Sequence, residues 1–234
     1  MNRVTLKTPE ELQLLREAGR LLAQVFGYLD ARIEPGISTM DINRWVERYI
    51  VDVVKARPAS KGQYGYPYVL NASVNHVVCH GIPSETQRLA SGDIVNVDIT
   101  LEKNGFIADA SKTYLVGTVT PNAQRLVGTT YEAMWRGIHA VKPGATLGDV
   151  GHAIQHHAER HGYSIVREYC GHGIGRDMHE APQVLHYGKP GKGLTLKEGM
   201  VFTIEPMVNM GNAKIKTKRD GWTVVTSDKK LSAQ

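Results

Sequence analysis

The stretch VDITLEKNGFIAD, residues 97–109, places a carboxylate near each end, Asp98 and Asp109, of a segment that otherwise alternates like a strand. Successive side chains of a strand point to opposite faces, so IVNVDIT puts Val95, Val97 and Ile99 on one side and Asn96, Asp98 and Thr100 on the other. Asn104-Gly105 is a two-residue hairpin signal, because both central positions of such a turn require positive φ, and IADASKTYLV then returns as the facing strand. On this reading Asp98 ends one strand and Asp109 begins the next. Two like charges held close destabilise a sheet unless a cation lies between them. The hairpin is therefore predicted to form half of a metal site.

The other half follows from an internal repeat. Thr8, Pro9 and Glu11 make a capping box, and Leu12, Leu15, Ala18, Leu22 and Val25 recur at helical spacing. After the Pro35-Gly36 break, Ser38 or Thr39 caps a second helix carrying Ile42, Val46 and Ile50. The same order returns about 108 residues later in AMWRGIHAVKPGATLGDVGHAIQHH, with Pro143-Gly144, Thr146 as cap and Asp149 in the place of Asp41. GDIVNVD (residues 92–98) and GMVFTIE (residues 199–205) share a glycine, alternating apolar residues and a terminal acid, which makes Glu205 the counterpart of Asp98. The expected fold is α+β: a single domain over residues 1–234, with two pseudo-symmetric αα-β halves at 8–115 and 120–234. A local twofold axis would set their strands side by side in one sheet and bring the acids together.

Bulk properties narrow the class. The chain of 234 residues is 41% hydrophobic and 22% charged, which excludes fibrous and disordered classes and permits a core without disulfides. No apolar run approaches the roughly 20 residues of a membrane span, and the N-terminus lacks a signal-peptide pattern, so a cytoplasmic protein without a membrane partner is expected. The two cysteines, Cys79 and Cys170, are too few for a disulfide framework and fit a reducing compartment. A net charge of +5 permits an acidic partner, but the basic residues are scattered apart from KIKTKR at 214–219, so no specific nucleic acid is expected.

Two further histidines, His172 and His179, stand in REYCGHGIGRDMHEAP, where Gly171, Gly173 and Gly175 let the backbone run close to something. His179-Glu180 is not the start of an HExxH helix, because Pro182 follows and no His stands at 183. A second cluster, His152, His156, His157 and His161, forms i,i+4 pairs on one helix; with no carboxylate partner in view it reads as a solvated face. Carboxylates outnumbering imidazoles suit manganese, iron(II), cobalt or zinc. Hydroxide generated on such a metal at neutral pH attacks carbonyl carbon, which points to hydrolysis.

Taken in order, NHVVCHGIPS (75–84), GDIVNVDIT, Asp109 in the following strand, REYCGHGIG, MHEAPQVLHY, FTIEPMV and DGWTVVTSDKKLSAQ resemble the type I methionine aminopeptidases across almost the whole chain. That resemblance implies the pita-bread fold, two halves around a central curved antiparallel sheet, and removal of the initiator methionine from nascent polypeptides. It implies metal ligands at Asp98, Asp109, His172 and Glu205, with Asp109 bridging and Glu205 also shuttling the proton of the attacking water. It implies substrate contacts from His80, near the scissile amide or free amine, and His179, toward the carbonyl oxygen. Tyr66 and Trp222 would wall the methionine pocket, with Gln63, Asn71 and Met178 at variable lining positions. A monomer working near the ribosome is the expected state.

The resemblance departs at one place. In the family, SAQ is followed by an aromatic residue and a glutamate that supplies the second bridging ligand, whereas this sequence ends at Gln234. The repeat agrees, since a partner for Asp109 in the second half falls on Lys216, and the later acids are Asp220 and Asp228. Two divalent ions, Co, Mn, Fe or Zn, are implied for a complete enzyme, one for this chain, with impaired activity as the expectation. A pita-bread binding module is the alternative outside enzymes; proline-specific relatives are the alternative within them.

Overall fold

The structure is a computed structural model and describes residues 4–234. Helix α1 (Pro9–Asp30) begins at a complete capping box: Thr8 accepts from the Glu11 N–H while the Glu11 carboxylate accepts from the Thr8 N–H. Helix α2 (Thr39–Arg48) repeats the device with Ser38 and Asp41. Strands β1 (Arg57–Pro58), β2 (Leu70–Val74) and β3 (Val77–Cys79) precede a ten-residue hairpin pair, β4 (Ile94–Lys103) and β5 (Phe106–Leu115). Asn104 (φ 53°) and Gly105 (φ 78°) turn that hairpin as their sequence requires.

The second half follows with α3 (Pro121–Ala140), capped by Thr120, and α4 (Leu147–Arg160), whose Thr146–Asp149 box stands where Ser38–Asp41 stood. Beyond them lie short strands: β6 (Ser164–Ile165), β7 (Gly171–Gly173), β8 (Glu180–Val184), β9 (Val208–Asn209), β10 (Ile215–Thr217), β11 (Val224–Thr226) and β12 (Ser232–Ala233). The recurrence extends to tertiary hydrogen bonds. Gly36 N–H donates to Leu89 O and Leu89 N–H to Ile37 O; Gly144 N–H donates to Leu196 O and Leu196 N–H to Ala145 O.

Each helix pair buries its stripe against its own half. Ala18, Leu22, Val25 and Leu29 of α1 pack with Ile42 and Val46 of α2 over Val95, Val97 and Ile99. Leu126 and Ala133 of α3 pack with Val150, Ile154 and Ala158 of α4 over Ile165, Val208 and Ala233. Each fully buried aliphatic side chain contributes about 1.5–3 kcal/mol, so these clusters fix the frame that carries the site. Among the described residues no helix is long and apolar enough to cross a membrane.

Three expectations change in detail. Asp98 and Asp109 lie inside their strands, at the fifth position of β4 and the fourth of β5, not at strand ends. On these adjacent strands Asp98 faces Ser111 and Asp109 faces Thr100, so the carboxylates meet on the diagonal. The antiparallel ladders divide into four groups, β1-β4-β2 with β5, β10-β11-β3, β12-β9-β6 and β7-β8, instead of one unbroken sheet. Glu205 accordingly lies outside any assigned strand. Pro206 follows it, where the first half has Ile99, and without an N–H a proline cannot continue the ladder.

Candidate metal centre and its cavity

Strand pairing brings the predicted acids and imidazoles into one cavity of ≈ 590 Å³ between the halves. His172 Nε2 stands 3.4 Å from Asp109 Oδ2 and 3.5 Å from Glu205 Oε1. The three offer ligand atoms that all lie within 4.8 Å of one another. His172 Nδ1 is 3.0 Å from the Gly173 carbonyl, which can only accept, so Nδ1 carries a proton and Nε2 is the nitrogen turned toward the acids. Asp98 stands beside this trio, opposite Asn71 of β2.

The electrostatics call for a cation. Burial first, then the charges of Asp109 and Glu205, push the Asp98 carboxyl well above the carboxylate range. Burial and Asp109 push Glu205 up to about 7, against the opposing Thr203 hydrogen bond and His172 charge. Burial lowers the affinity of His172 for a proton, but its hydrogen bond with Asp109 and the Glu205 charge outweigh that and raise its pKa. No Lys or Arg lines the cavity among the described residues. Three crowded carboxylates and one preoriented imidazole, with no fixed positive charge, fit an oxygen-preferring divalent metal.

Neighbours hold this geometry in place. Thr203 Oγ1 accepts from the His172 N–H at 2.9 Å and donates to Glu205 Oε1 at 2.5 Å, linking two candidate ligands through one hydroxyl. The Glu205 N–H, freed from ladder pairing, donates to His186 Nε2 at 3.1 Å. His186 is fully buried, and burial holds its pKa down to about 3. The glycines around His172 run against the protein's own main chain: a Cβ on Gly171 would fall 2.4 Å from Thr203 O, and one on Gly173 2.1 Å from Ala181 O.

His80 and His179 also line the cavity. His80 adopts a left-handed φ of 55°, sparsely populated for a residue with a side chain, and Tyr169 packs edge-on against its ring at 5.4 Å. Burial, then the charge of His179, lowers the His80 pKa. The His179 ring lies 4.4 Å from that of His172, and its pKa is lowered by burial and by His172. Lys7 Nζ reaches Glu180 Oε2 at 2.5 Å, while Glu180 Oε1 accepts from the Arg176 and Asp177 N–H groups; this bracket sets the turn before His179.

Tyr66 and Trp222 form one wall, rings 5.0 Å apart, with the Tyr66 hydroxyl donating to Leu70 O. Gln63, Asn71 and Met178 line the cavity as expected. Cys79, Tyr169, Cys170 and Met207 also line it, and so does the 76% exposed Tyr64, which stacks on His179. Cys79, Tyr169 and Cys170 flank His80 and His172 in sequence, a signal sufficient to find them. Tyr64 carries none.

Acids and an imidazole gathered between two helix-backed halves define a metallopeptidase of the pita-bread class. Residues 13–229 match metallopeptidase family M24, and the chain belongs to that family. It is 48% identical to the methionine aminopeptidase of Escherichia coli (strain K12) over 231 residues, 99% of this chain and 88% of that one. The crystal structure of the methionine aminopeptidase from Rickettsia prowazekii superposes with a TM-score of 0.97 at 46% identity, covering 99% of this chain and 93% of that one. That of the Thermotoga maritima methionine aminopeptidase gives 0.96 at 39% identity, covering 99% and 92%.

Proposed function

We propose that this protein is a metal-dependent aminopeptidase that removes the initiator methionine from nascent polypeptides. The observation that carries the reading is the cavity itself, lined at once by a cation-demanding cluster, by two further histidines and by an aromatic pair. Asp98, Asp109, His172 and Glu205 would hold the metal. A bound divalent ion supplies Lewis acidity toward the carbonyl and acidifies water.

The chain's own groups do the rest. Tyr66 and Trp222 take up the methionine side chain, which an apolar wall binds by area and by sulfur–aromatic contact. His80, kept neutral by burial, accepts a hydrogen bond from the scissile amide or the free amine. His179 donates to the carbonyl oxygen and to the negative charge that develops there. Glu205 takes the proton of the attacking water and returns it to the leaving amine. A monomer that meets nascent chains near the ribosome in the cytoplasm completes this reading. A binding module has no need of buried, mutually repelling carboxylates.

The test is methionine release from Met-Ala-Ser after chelation and reloading with Mn²⁺, Fe²⁺, Co²⁺ or Zn²⁺, beside a peptide whose second residue is proline. Metal-dependent release from Met-Ala-Ser, lost in Asp109→Asn, is expected. Folded, metal-loaded protein that releases no methionine, or that prefers the proline peptide, overturns the assignment.

A further inference from the structure

Outside the cavity, one more group of side chains among the described residues meets metal-ligand geometry. Glu132 of α3, His157 of α4 and His161 at the end of α4 offer ligand atoms that all lie within 4.8 Å of one another. The sequence alone left these histidines without a carboxylate partner; packing of α3 on α4 supplies one. His157 turns inward, only 9% exposed, with Nε2 2.9 Å from Glu132 Oε2. His161 Nδ1 lies 2.8 Å from the His157 carbonyl, which fixes the ring proton on Nδ1 and leaves the Nε2 lone pair free. A bond of that kind, from the far ring nitrogen to a backbone carbonyl, is how metal-ligating histidines are ordinarily oriented.

We propose that Glu132, His157 and His161 bind a transition-metal dication of the zinc type, separate from the peptidase centre, clipping α3 to α4. The i,i+4 spacing puts both imidazoles on one face, with ring centroids 4.5 Å apart. Two nitrogens and one carboxylate oxygen favour Zn²⁺, Ni²⁺ or Cu²⁺ over Ca²⁺ and Mg²⁺, and three protein ligands leave a position for water. Tetrahedral zinc spaces its donors about 3.4 Å apart, so the His157–Glu132 contact must open by about half an ångström. The Glu132 side chain, 62% exposed, gives that by rotation. The C-terminal end of a helix carries partial negative charge and favours the ion. Two cations oppose it: Arg125, bound to the His161 carbonyl, and Arg136, whose charge reaches His157.

Equilibrium dialysis against micromolar free Zn²⁺, with metal content read by plasma mass spectrometry, tests the site. The intact protein should retain one more equivalent than Glu132→Gln/His161→Gln, whose side chains are exposed and half-buried. Methionine release with Mn²⁺ should be the same in both. As a second readout, saturating Zn²⁺ should raise the unfolding temperature of an Asp109→Asn protein, and this rise should shrink when the two Gln substitutions are added. Equal zinc content with and without those substitutions, or an undiminished thermal shift, overturns the proposal.

Discussion

Gly173→Ala isolates the packing that sets the metal centre, because the added methyl meets only main chain. Its Cβ would lie 2.1 Å from Ala181 O, 2.5 Å from Ala181 C and 3.0 Å from Glu180 O. No flexible side chain is available to yield, so β7 and β8 must part by about 1 Å, at the 1–3 kcal/mol typical of overpacking. The strain falls on function more than on stability. His172 precedes the altered residue, 3.4 Å from Asp109 and 3.5 Å from Glu205, and His179 precedes β8. Displacing the two rings by about 1 Å should cost roughly 100-fold in kcat/KM and about tenfold in Mn²⁺ affinity. The assay pairs methionine release with calorimetric metal titration. Gly128→Ala serves as control: that glycine is exposed within α3 with nothing within 4 Å of an added Cβ, so alanine should stabilise by about 0.5–1 kcal/mol and leave activity alone. A Gly173→Ala enzyme within threefold of the parent in kcat/KM would refute the reasoning.

Two other outcomes follow from the groups behind the site. His186 is buried neutral, its pKa depressed from 6.5 to about 3, so the unfolded chain binds a proton that the fold does not, and stability is lost as pH falls below 6.5. Between pH 6.5 and 5 this amounts to about 2 kcal/mol, and His186→Gln, which can still accept the Glu205 N–H, should flatten the acid limb of a denaturation series by that much. An unchanged limb counts against it. Lys7→Met removes the partner of Glu180 from a pair in which the lysine side chain is 3% exposed. The loss should be about 3 kcal/mol in chemical denaturation, with KM for the peptide raised through the His179 turn, whereas Lys7→Arg should recover part of both.

Local chemistry made much of this legible in the sequence. Thr8, Ser38 and Thr146 announced helix starts because a capping side chain needs only its own neighbours three residues on. Asn104-Gly105 announced the hairpin, and the hairpin paired two acids. What remained hidden depended on contacts between distant segments. The diagonal meeting of Asp98 with Asp109 is set by register, which alternation alone leaves open by one step. Glu205 shared the pattern of Asp98, but Pro206 took it out of the ladder, and the acceptor for its N–H, His186, lies elsewhere in the chain. Glu132 was invisible as a partner for His157 until α3 and α4 were packed together.

The left-handed backbone of His80 bears on any substitution library at that position. Such a library ranks residues by their tolerance of φ 55° as well as by their chemistry. Asn and Gly accept that backbone readily, while β-branched side chains carry a conformational penalty of order 1–2 kcal/mol that has nothing to do with an imidazole. The activity gap between the parent and His80→Asn therefore measures the ring, and the further gap to His80→Val measures the turn.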